Sequence, residues 1–138
     1  MKRVITYGTY DLLHQGHINL LRRAKELGDY LIVAAQDSDF ILKYKPTAKV
    51  LNSTEDRKYM IKSIRYVDEV ITYTDVDKIV QEVEFDVFVT GPDQCHDGFE
   101  RAIKWCEEHG KEHTVLARTD GVSSSELKAK IAEKTKKQ

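Results

Sequence analysis

Two histidines three residues apart are the part of this sequence best suited to chemistry. His14 and His17 have Gly16 between them, and they follow a short apolar run that ends at Gly8. If a helix begins near Gln15, both imidazoles lie at its N-terminus, where unpaired N–H groups and the helix dipole favour an anion. The spacing therefore predicts a phosphate site built from ring donors without a fixed charge. Two alternatives remain open for the pair: a zinc site, although no third ligand is adjacent, and an ordinary solvated helix start.

A second candidate phosphate site follows the last apolar run of the chain. Arg118 comes directly after residues 114–117, and Thr119 and Gly121 shape a turn before Ser123 to Ser125 open a final helix. Hydroxyls, helix N–H groups and a guanidinium all suit phosphate oxygens. The alternative is a plain capping box, because Ser123 with Glu126 explains the helix start by itself.

Basic residues in the middle of the chain form a third candidate group. Lys43 and Lys45 lie in a polar loop, and a mobile lysine loop could close over a polyphosphate. Arg57 and Arg65 stand eight residues apart on a predicted helix, close enough to share one face. Solvated surface lysines are the alternative.

The segment after the fourth apolar run is where a base-reading loop is expected. Gly91 begins it, and Asp93 is an acceptor for the exocyclic amine of cytosine or adenine. A nearby set of possible zinc ligands has no spacing typical of zinc sites, and we interpret Cys106 as a packed helix residue. That set comprises Cys95, His96, Cys106, His109 and His113.

Alternation of apolar runs with helix-period segments predicts how these residues are positioned. The predicted strands are 4–7, 30–35, 69–73, 86–90 and 114–117, and the predicted helices are 16–27, 53–65, 76–83, 98–109 and 123–132. Strands that are apolar on both faces and separated by helices predict an α/β fold: a five-stranded parallel sheet with helices on both faces, in one Rossmann-like domain over residues 1–138. Its ligand site is expected at the carboxyl ends of the strands.

Composition excludes several classes of function. Lys and Arg number 22 and Asp and Glu 23, so a broad basic face for nucleic acid is not expected. No apolar run approaches the ~18 residues that span a bilayer, and two cysteines are too few for a disulfide scaffold. We expect a cytoplasmic protein with no membrane partner.

Three motifs carry a resemblance to a known family. Residues 8–11 and 14–17, GTYD and HQGH, resemble the HxGH signature of the nucleotidyltransferase superfamily. Residues 65–70, RYVDEV, and residues 118–125, RTDGVSSS, resemble elements of its cytidylyltransferase family, with the fit closest to the members that act on glycerol 3-phosphate. The likeness spans nearly the whole chain.

The resemblance implies an activity, a set of partners and a set of site residues. The activity is cytidylyl transfer from CTP to a small phosphomonoester such as glycerol 3-phosphate, with Mg²⁺ bound through the nucleotide phosphates and no metal site in the protein itself. Catalytic roles fall to His14, His17, Lys45 and Arg118, and acceptor binding to Lys43, Lys45, Arg57 and Arg65. Nucleotide binding falls to His14 and His17 with Gly8, Thr9, Tyr10, Asp11, Gly91, Asp93, Arg118, Thr119, Val122, Ser123, Ser124 and Ser125.

The residues are compatible with alternatives to this activity. The family's base-reading loop usually reads GDDW, and here residues 91–94 read GPDQ, so ATP remains possible as the nucleotide, with FMN or a sugar phosphate as acceptor. A nucleotide-binding module without turnover is a further alternative. Asp11 could bind Mg²⁺ indirectly or only fix its loop. The resemblance also implies a homodimer through residues 65–70 and a place in the synthesis of teichoic acid or related polymer precursors.

Overall fold

Five strands and four helices make up the described part of this computed structural model. The structure describes residues 1–11, 13–38, 52–92, 94 and 97–116. The strands are β1 (Arg3–Gly8), β2 (Tyr30–Gln36), β3 (Glu69–Tyr73), β4 (Val87–Thr90) and β5 (Glu112–Val115). The helices are α1 (Gln15–Glu26), α2 (Thr54–Lys62), α3 (Val76–Ile79) and α4 (Asp97–Glu108).

The strands form one parallel sheet in the order β3-β2-β1-β4-β5. The chain starts in the middle with β1, moves outward through β2 and β3, and returns to the other side of β1 as β4. The strand order therefore reverses between β1 and β4, and this switch point is where open α/β sheets bind ligands. The fold predicted from the sequence is confirmed.

Both faces of the sheet are covered, because successive residues of a strand point to opposite sides. One face packs against α1 and α2, and its buried residues include Val4, Leu21, Ala24, Leu31, Val33, Ile61, Val87 and Val89. The other packs against α3 and α4, and its buried residues include Ile5, Tyr7, Ile32, Val76, Phe88, Phe99, Ala102 and Cys106. Cys106 is a packed helix residue, as the sequence predicted.

Three of the predicted elements differ from the structure by more than one residue at an end. The helix predicted over 76–83 is shorter, since α3 ends at Ile79. The helix predicted over 53–65 is shorter, since α2 ends at Lys62 after its N-cap Ser53. The last strand is predicted over residues 114–117. In the structure β5 runs over Glu112–Val115, and its first residue, Glu112, pairs with Val87. The apolar pattern missed this start because the first residues of β5 are polar. Polar residues are tolerated there since β5 is an edge strand, which pairs with only one neighbouring strand and is partly buried. The predicted final helix, 123–132, lies outside the described residues.

None of the helices in the described ranges is long and apolar enough to cross a membrane.

Gly28 lets the turn after α1 approach the start of β1. A Cβ built at this position would lie 2.7 Å from the Lys2 carbonyl oxygen and 2.7 Å from a Val4 methyl group. We expect Gly28→Ala to lower the free energy of unfolding by roughly 1–3 kcal/mol, because backbone and core must shift. Urea denaturation measures this.

Gly91→Ala is the matched control, since its added Cβ would have nothing within 4 Å. Its unfolding free energy should change by less than about 0.5 kcal/mol. Equal stability of the two variants would show that the close approach at Gly28 carries no energetic weight.

Candidate active site

The two histidines cap the N-terminus of α1 and bind each other's backbone. The Gly16 N–H donates to His14 Nδ1 at 3.0 Å, and the His14 N–H donates to His17 Nδ1 at 3.3 Å. This is a reciprocal cap of the kind more often made by Ser and Glu. The helix begins at Gln15, one residue before the predicted start at residue 16, and both imidazoles accept backbone hydrogen bonds at this N-terminus.

These hydrogen bonds determine where each ring carries its proton. A backbone N–H can only donate, so each Nδ1 must be an acceptor and each neutral ring carries its proton on Nε2. The rings stack with centroids 3.9 Å apart. Burial, together with the adjacent His14, lowers the pKa of His17 to about 4. His17 is therefore neutral near pH 7, and its Nε2–H can donate a hydrogen bond to an anionic ligand. A neutral ring also places no positive charge beside His14.

Tyr10 supports His17 from the strand side. Its ring meets the His17 ring edge-on with centroids 5.4 Å apart, and it lies over Gly8, where a Cβ would come within 2.9 Å of ring atoms. The Tyr10 backbone has φ 54, a left-handed conformation that is rare outside glycine. Burial raises the Tyr10 pKa to about 12, although a hydrogen bond with Thr6 acts the other way. The Tyr10 ring thus fills the space that a side chain at residue 8 would take.

Asp11 connects the loop after β1 to the start of α2. Its Oδ1 accepts the Asn52 N–H at 2.8 Å, and the Asn52 side chain donates to the Asp11 carbonyl. The Asp11 residue is only 3% exposed. Loop fixation, one of the two roles considered for Asp11, is thus visible in the structure. Asn52 is a site residue that sequence reasoning missed.

Arg57 is a buried cation at the base of the same loop. Its guanidinium donates to the Thr9 carbonyl at 2.6 Å and to Ser38 Oγ at 2.7 Å, and its Nε donates to the Asn52 carbonyl at 3.3 Å. Burial lowers its pKa, and the nearby carboxylate of Asp11 acts against that shift. A buried guanidinium needs such partners. Its contacts hold the loop in place, which the expectation of phosphate binding did not anticipate.

Arg65 is not beside Arg57, which corrects the expectation of a shared helix face. It lies three residues beyond the end of α2 and is exposed, while Arg57 is in the first turn and fully buried. The Asp68 N–H donates to Leu31 O at 3.0 Å, which places this segment at the amino end of β2. The candidate site lies at the carboxyl ends, so one copy of the chain does not bring Arg65 to it.

Gln94 forms hydrogen bonds with β1 and with Gly91, the residue that follows β4, at the switch point. Its Nε2 donates to Tyr7 O at 2.6 Å, and its Oε1 accepts the Gly91 N–H at 3.0 Å. Sequence reasoning noted Gln94 only as a departure from the family pattern. Its place just after β4 was the signal that it faces the expected ligand edge.

Several predicted site residues lie outside the described part of the chain. They are Lys43, Lys45, Asp93, Arg118, Thr119, Val122, Ser123, Ser124 and Ser125. Cys95 and His96, from the zinc hypothesis, also lie outside it. Within the described part, the structure brings Gly8, Thr9, Tyr10, Asp11, His14 and His17 together in one loop and helix start. In the same part, no group of three or more His, Cys, Asp or Glu side chains is arranged to hold a metal ion.

Comparison with known proteins gives consistent results. The sequence pattern of the family described as "Cytidylyltransferase-like" matches residues 5–130. Glycerol-3-phosphate cytidylyltransferase of Bacillus subtilis is 44% identical over 96% of this chain and 98% of its own, and that of Staphylococcus aureus is 46% identical over 95% and 96%. An FAD synthase of Thermococcus kodakarensis is 34% identical over 95% of this chain and 92% of its own.

A solved structure agrees with these relatives. The lipopolysaccharide core biosynthesis protein of Thermoplasma volcanium has a TM-score of 0.70 and 28% identity, covering 86% of this chain and 97% of its own. The sheet is doubly wound, and a helix N-terminus that favours anions lies at its switch point. These two features define an α/β protein that binds nucleotides. The chain belongs to the cytidylyltransferase-like family, and it is accordingly a nucleotidyltransferase.

The His17 environment predicts an unusual titration. We expect its imidazole to titrate near pH 4 rather than near the ordinary ~6.5, with the neutral ring protonated on Nε2. Two-dimensional ¹H–¹⁵N NMR of the ring nitrogens measures both properties.

The same shift sets a direction for stability against pH. The unfolded chain takes up a proton at His17 near ~6.5 and the folded chain only near 4, so the stability contributed by the neutral ring is present above ~6.5 and is lost as pH falls toward 4. Urea denaturation of the protein and of His17→Gln across this range tests it. An identical pH dependence in both proteins, or a titration near 6.5, would contradict the assigned environment.

Proposed function

We propose that this chain transfers a cytidylyl group from CTP to glycerol 3-phosphate and releases pyrophosphate. The observation that carries the proposal is the pair of mutually capped, Nε2-protonated imidazoles at the carboxyl end of β1. It is supported by the near full-length similarity to two glycerol-3-phosphate cytidylyltransferases.

The reaction needs little covalent help from the protein. An oxygen of the acceptor phosphate, already ionised at neutral pH, forms a bond to the α-phosphorus, and the bond from that phosphorus to the bridging oxygen of pyrophosphate breaks. No general base is required. The protein must hold the two anions in line and stabilise the negative charge that develops on the α-phosphate and leaving oxygens.

We assign this stabilisation to His14 and His17. Their rings are held by backbone N–H groups before any substrate arrives, so no reorganisation is needed when charge develops. Their neutral state lets two rings stack at 3.9 Å without like-charge repulsion. Positive charge then has to come from other residues.

The resemblance supplies candidates for that charge. We propose that Arg118, Thr119 and the serines 123–125 hold the β- and γ-phosphates, with Val122 in the same turn. Lys45 or Lys43 is proposed to bring further positive charge. Asp93 is proposed to accept from the exocyclic amine of the base. For the buried Arg57, we now propose a positioning role through Thr9 in place of direct phosphate contact.

Magnesium is proposed to arrive as part of the nucleotide substrate. Mg²⁺ keeps several waters and commonly binds through substrate phosphates with one or two carboxylates at most. Asp11 is the carboxylate of the described loop, and its Oδ1 accepts the Asn52 N–H. Because this carboxylate oxygen already has a partner within the protein, we expect the ion to be held by phosphates and water. The bound Mg²⁺ would offset negative charge on the triphosphate.

A homodimer is proposed through residues 65–70. This segment contains exposed residues and leads into the edge strand β3, whose outer side pairs with no other described strand.

Static light scattering should give about twice the chain mass of 15.9 kDa. Glu69→Lys, which reverses a charge on the exposed edge strand β3, should shift the protein toward monomer, while Glu112→Lys, at an exposed glutamate of the opposite edge strand β5, should not. A monodisperse wild-type monomer would contradict the assembly.

We propose a cytoplasmic location, where CTP is available, and a role in supplying the precursor of teichoic acid or a related polymer.

Replacing either histidine should reduce turnover strongly. We expect His14→Ala and His17→Ala to lower kcat by about 10²–10³-fold, the loss seen when one preorganised donor to a developing oxyanion is removed. Pyrophosphate release from CTP and glycerol 3-phosphate measures this. His109→Ala is the control, because His109 is exposed and its ring nitrogen contacts its own helix at Trp105 O.

Near-normal turnover in a folded His17→Ala variant would remove the pair from the mechanism. The choice of nucleotide needs a separate assay, in which CTP and ATP are each tested with glycerol 3-phosphate, FMN and other phosphomonoesters. We expect CTP with glycerol 3-phosphate to be preferred. A preference for ATP with FMN would favour an FAD-forming reaction, and binding without pyrophosphate release would favour a nucleotide-sensing module.

A further inference from the structure

The Gln94 side chain joins two strands where their direct pairing stops. β1 and β4 pair from Val4 with Val87 to Thr6 with Val89, where the direct pairing of the two strands ends. Beyond that point the Gln94 carboxamide donates to Tyr7 O at 2.6 Å and accepts the Gly91 N–H at 3.0 Å. One neutral side chain thus occupies a backbone acceptor and a backbone donor at the switch point.

This pair of backbone groups has the hydrogen-bonding pattern that selects an amino-bearing base. A carboxamide presents an N–H donor and an acceptor attached to one carbon. Cytosine presents its exocyclic amine and N3 on one carbon, and adenine presents its amine and N1 in the same way. Uracil reverses the pattern, since its O4 accepts and its N3–H donates. The Gln94 carboxamide is therefore a chemical analogue of the cytosine or adenine edge.

The position of these groups suits a base that is joined to a bound phosphate. Tyr7 is next to Gly8, where the segment that leads to His14 and His17 begins. The contacts of Gln94 involve uncharged groups, which discriminate bases by hydrogen-bond direction, whereas the histidine segment favours anions. Base and phosphate binding would then meet at the end of one strand.

We propose that Tyr7 O and the Gly91 N–H read the base, and that Gln94 occupies both groups until a base displaces it. Its carboxamide competes with the edge of the base for Tyr7 O and the Gly91 N–H, so a base with the same donor and acceptor pattern displaces it and uracil does not. This inference rests on the proposed function, because it presumes that the nucleotide base binds at the switch point. It adds that Gln94 weakens the binding of the amino-bearing bases that the two backbone groups select, and leaves the binding of uracil unaffected.

Calorimetric titration of a Gln94→Met variant tests the competition. Methionine has a similar length but cannot make the two hydrogen bonds. We expect CTP to bind about fivefold more tightly, since the base no longer displaces a hydrogen-bonded side chain, while the affinity for UTP stays unchanged. Gln81→Met is the matched control, because the Gln81 amide donates to Asp77 O on the surface. Equal or weaker CTP binding by folded Gln94→Met, or an equal gain for UTP, would overturn the proposal.

A measurement on the wild-type protein covers the case in which Gln94→Met does not fold. The side-chain amide signals of Gln94 in ¹⁵N NMR should move when CTP or ATP is added and should stay in place with UTP or inorganic tripolyphosphate. Unchanged signals on saturation with CTP would overturn the role of Gln94. If the wild-type protein turns over CTP while these signals stay fixed, only this inference fails, whereas absence of turnover with CTP overturns the proposed function itself.

Discussion

The site depends on the hydrogen bonds that the first turn of α1 makes with two imidazoles. A helix N-terminus leaves N–H groups without partners, and here Gly16 and His14 donate two of them to ring nitrogens. These hydrogen bonds give the backbone N–H groups acceptors and also fix the orientation of the two rings. Since each Nδ1 is used as an acceptor, each neutral ring carries its donor on the other nitrogen. One local constraint therefore sets helix start, ring orientation and protonation.

Burial around this cap controls its charge. Tyr10 packs over Gly8 and against His17, and the resulting desolvation lowers the pKa of His17 to about 4. Tyr10 has a left-handed backbone conformation in the loop after β1. Arg57 holds this loop in place by donating a hydrogen bond to the Thr9 carbonyl. A buried cation thus supports a neutral site. Removing its partners would leave an unpaired buried charge, so loop and helix α2 are energetically linked.

The parallel sheet brings distant segments to one edge. β1 and β4 are about eighty residues apart in sequence, yet their carboxyl ends are adjacent because the strand order reverses between them. Gln94 bridges this gap with two hydrogen bonds. The same topology places Arg65 at the opposite, amino edge, so a segment that resembles a family motif is not necessarily part of the site in one copy of the chain.

The sequence by itself determined the class of fold and the start of the site. The apolar run at residues 30–35 and the spacing of His14 and His17 are local patterns, and local patterns indicate strands, helices and helix starts directly. Only the tertiary structure decided what depends on contacts between distant residues. These are the burial of Arg57, the pKa of His17, the early start of β5, and the bridge from Gln94 to Tyr7. The physical reason is that desolvation and long-range hydrogen bonds are properties of neighbours in space, which strand order fixes and residue spacing does not.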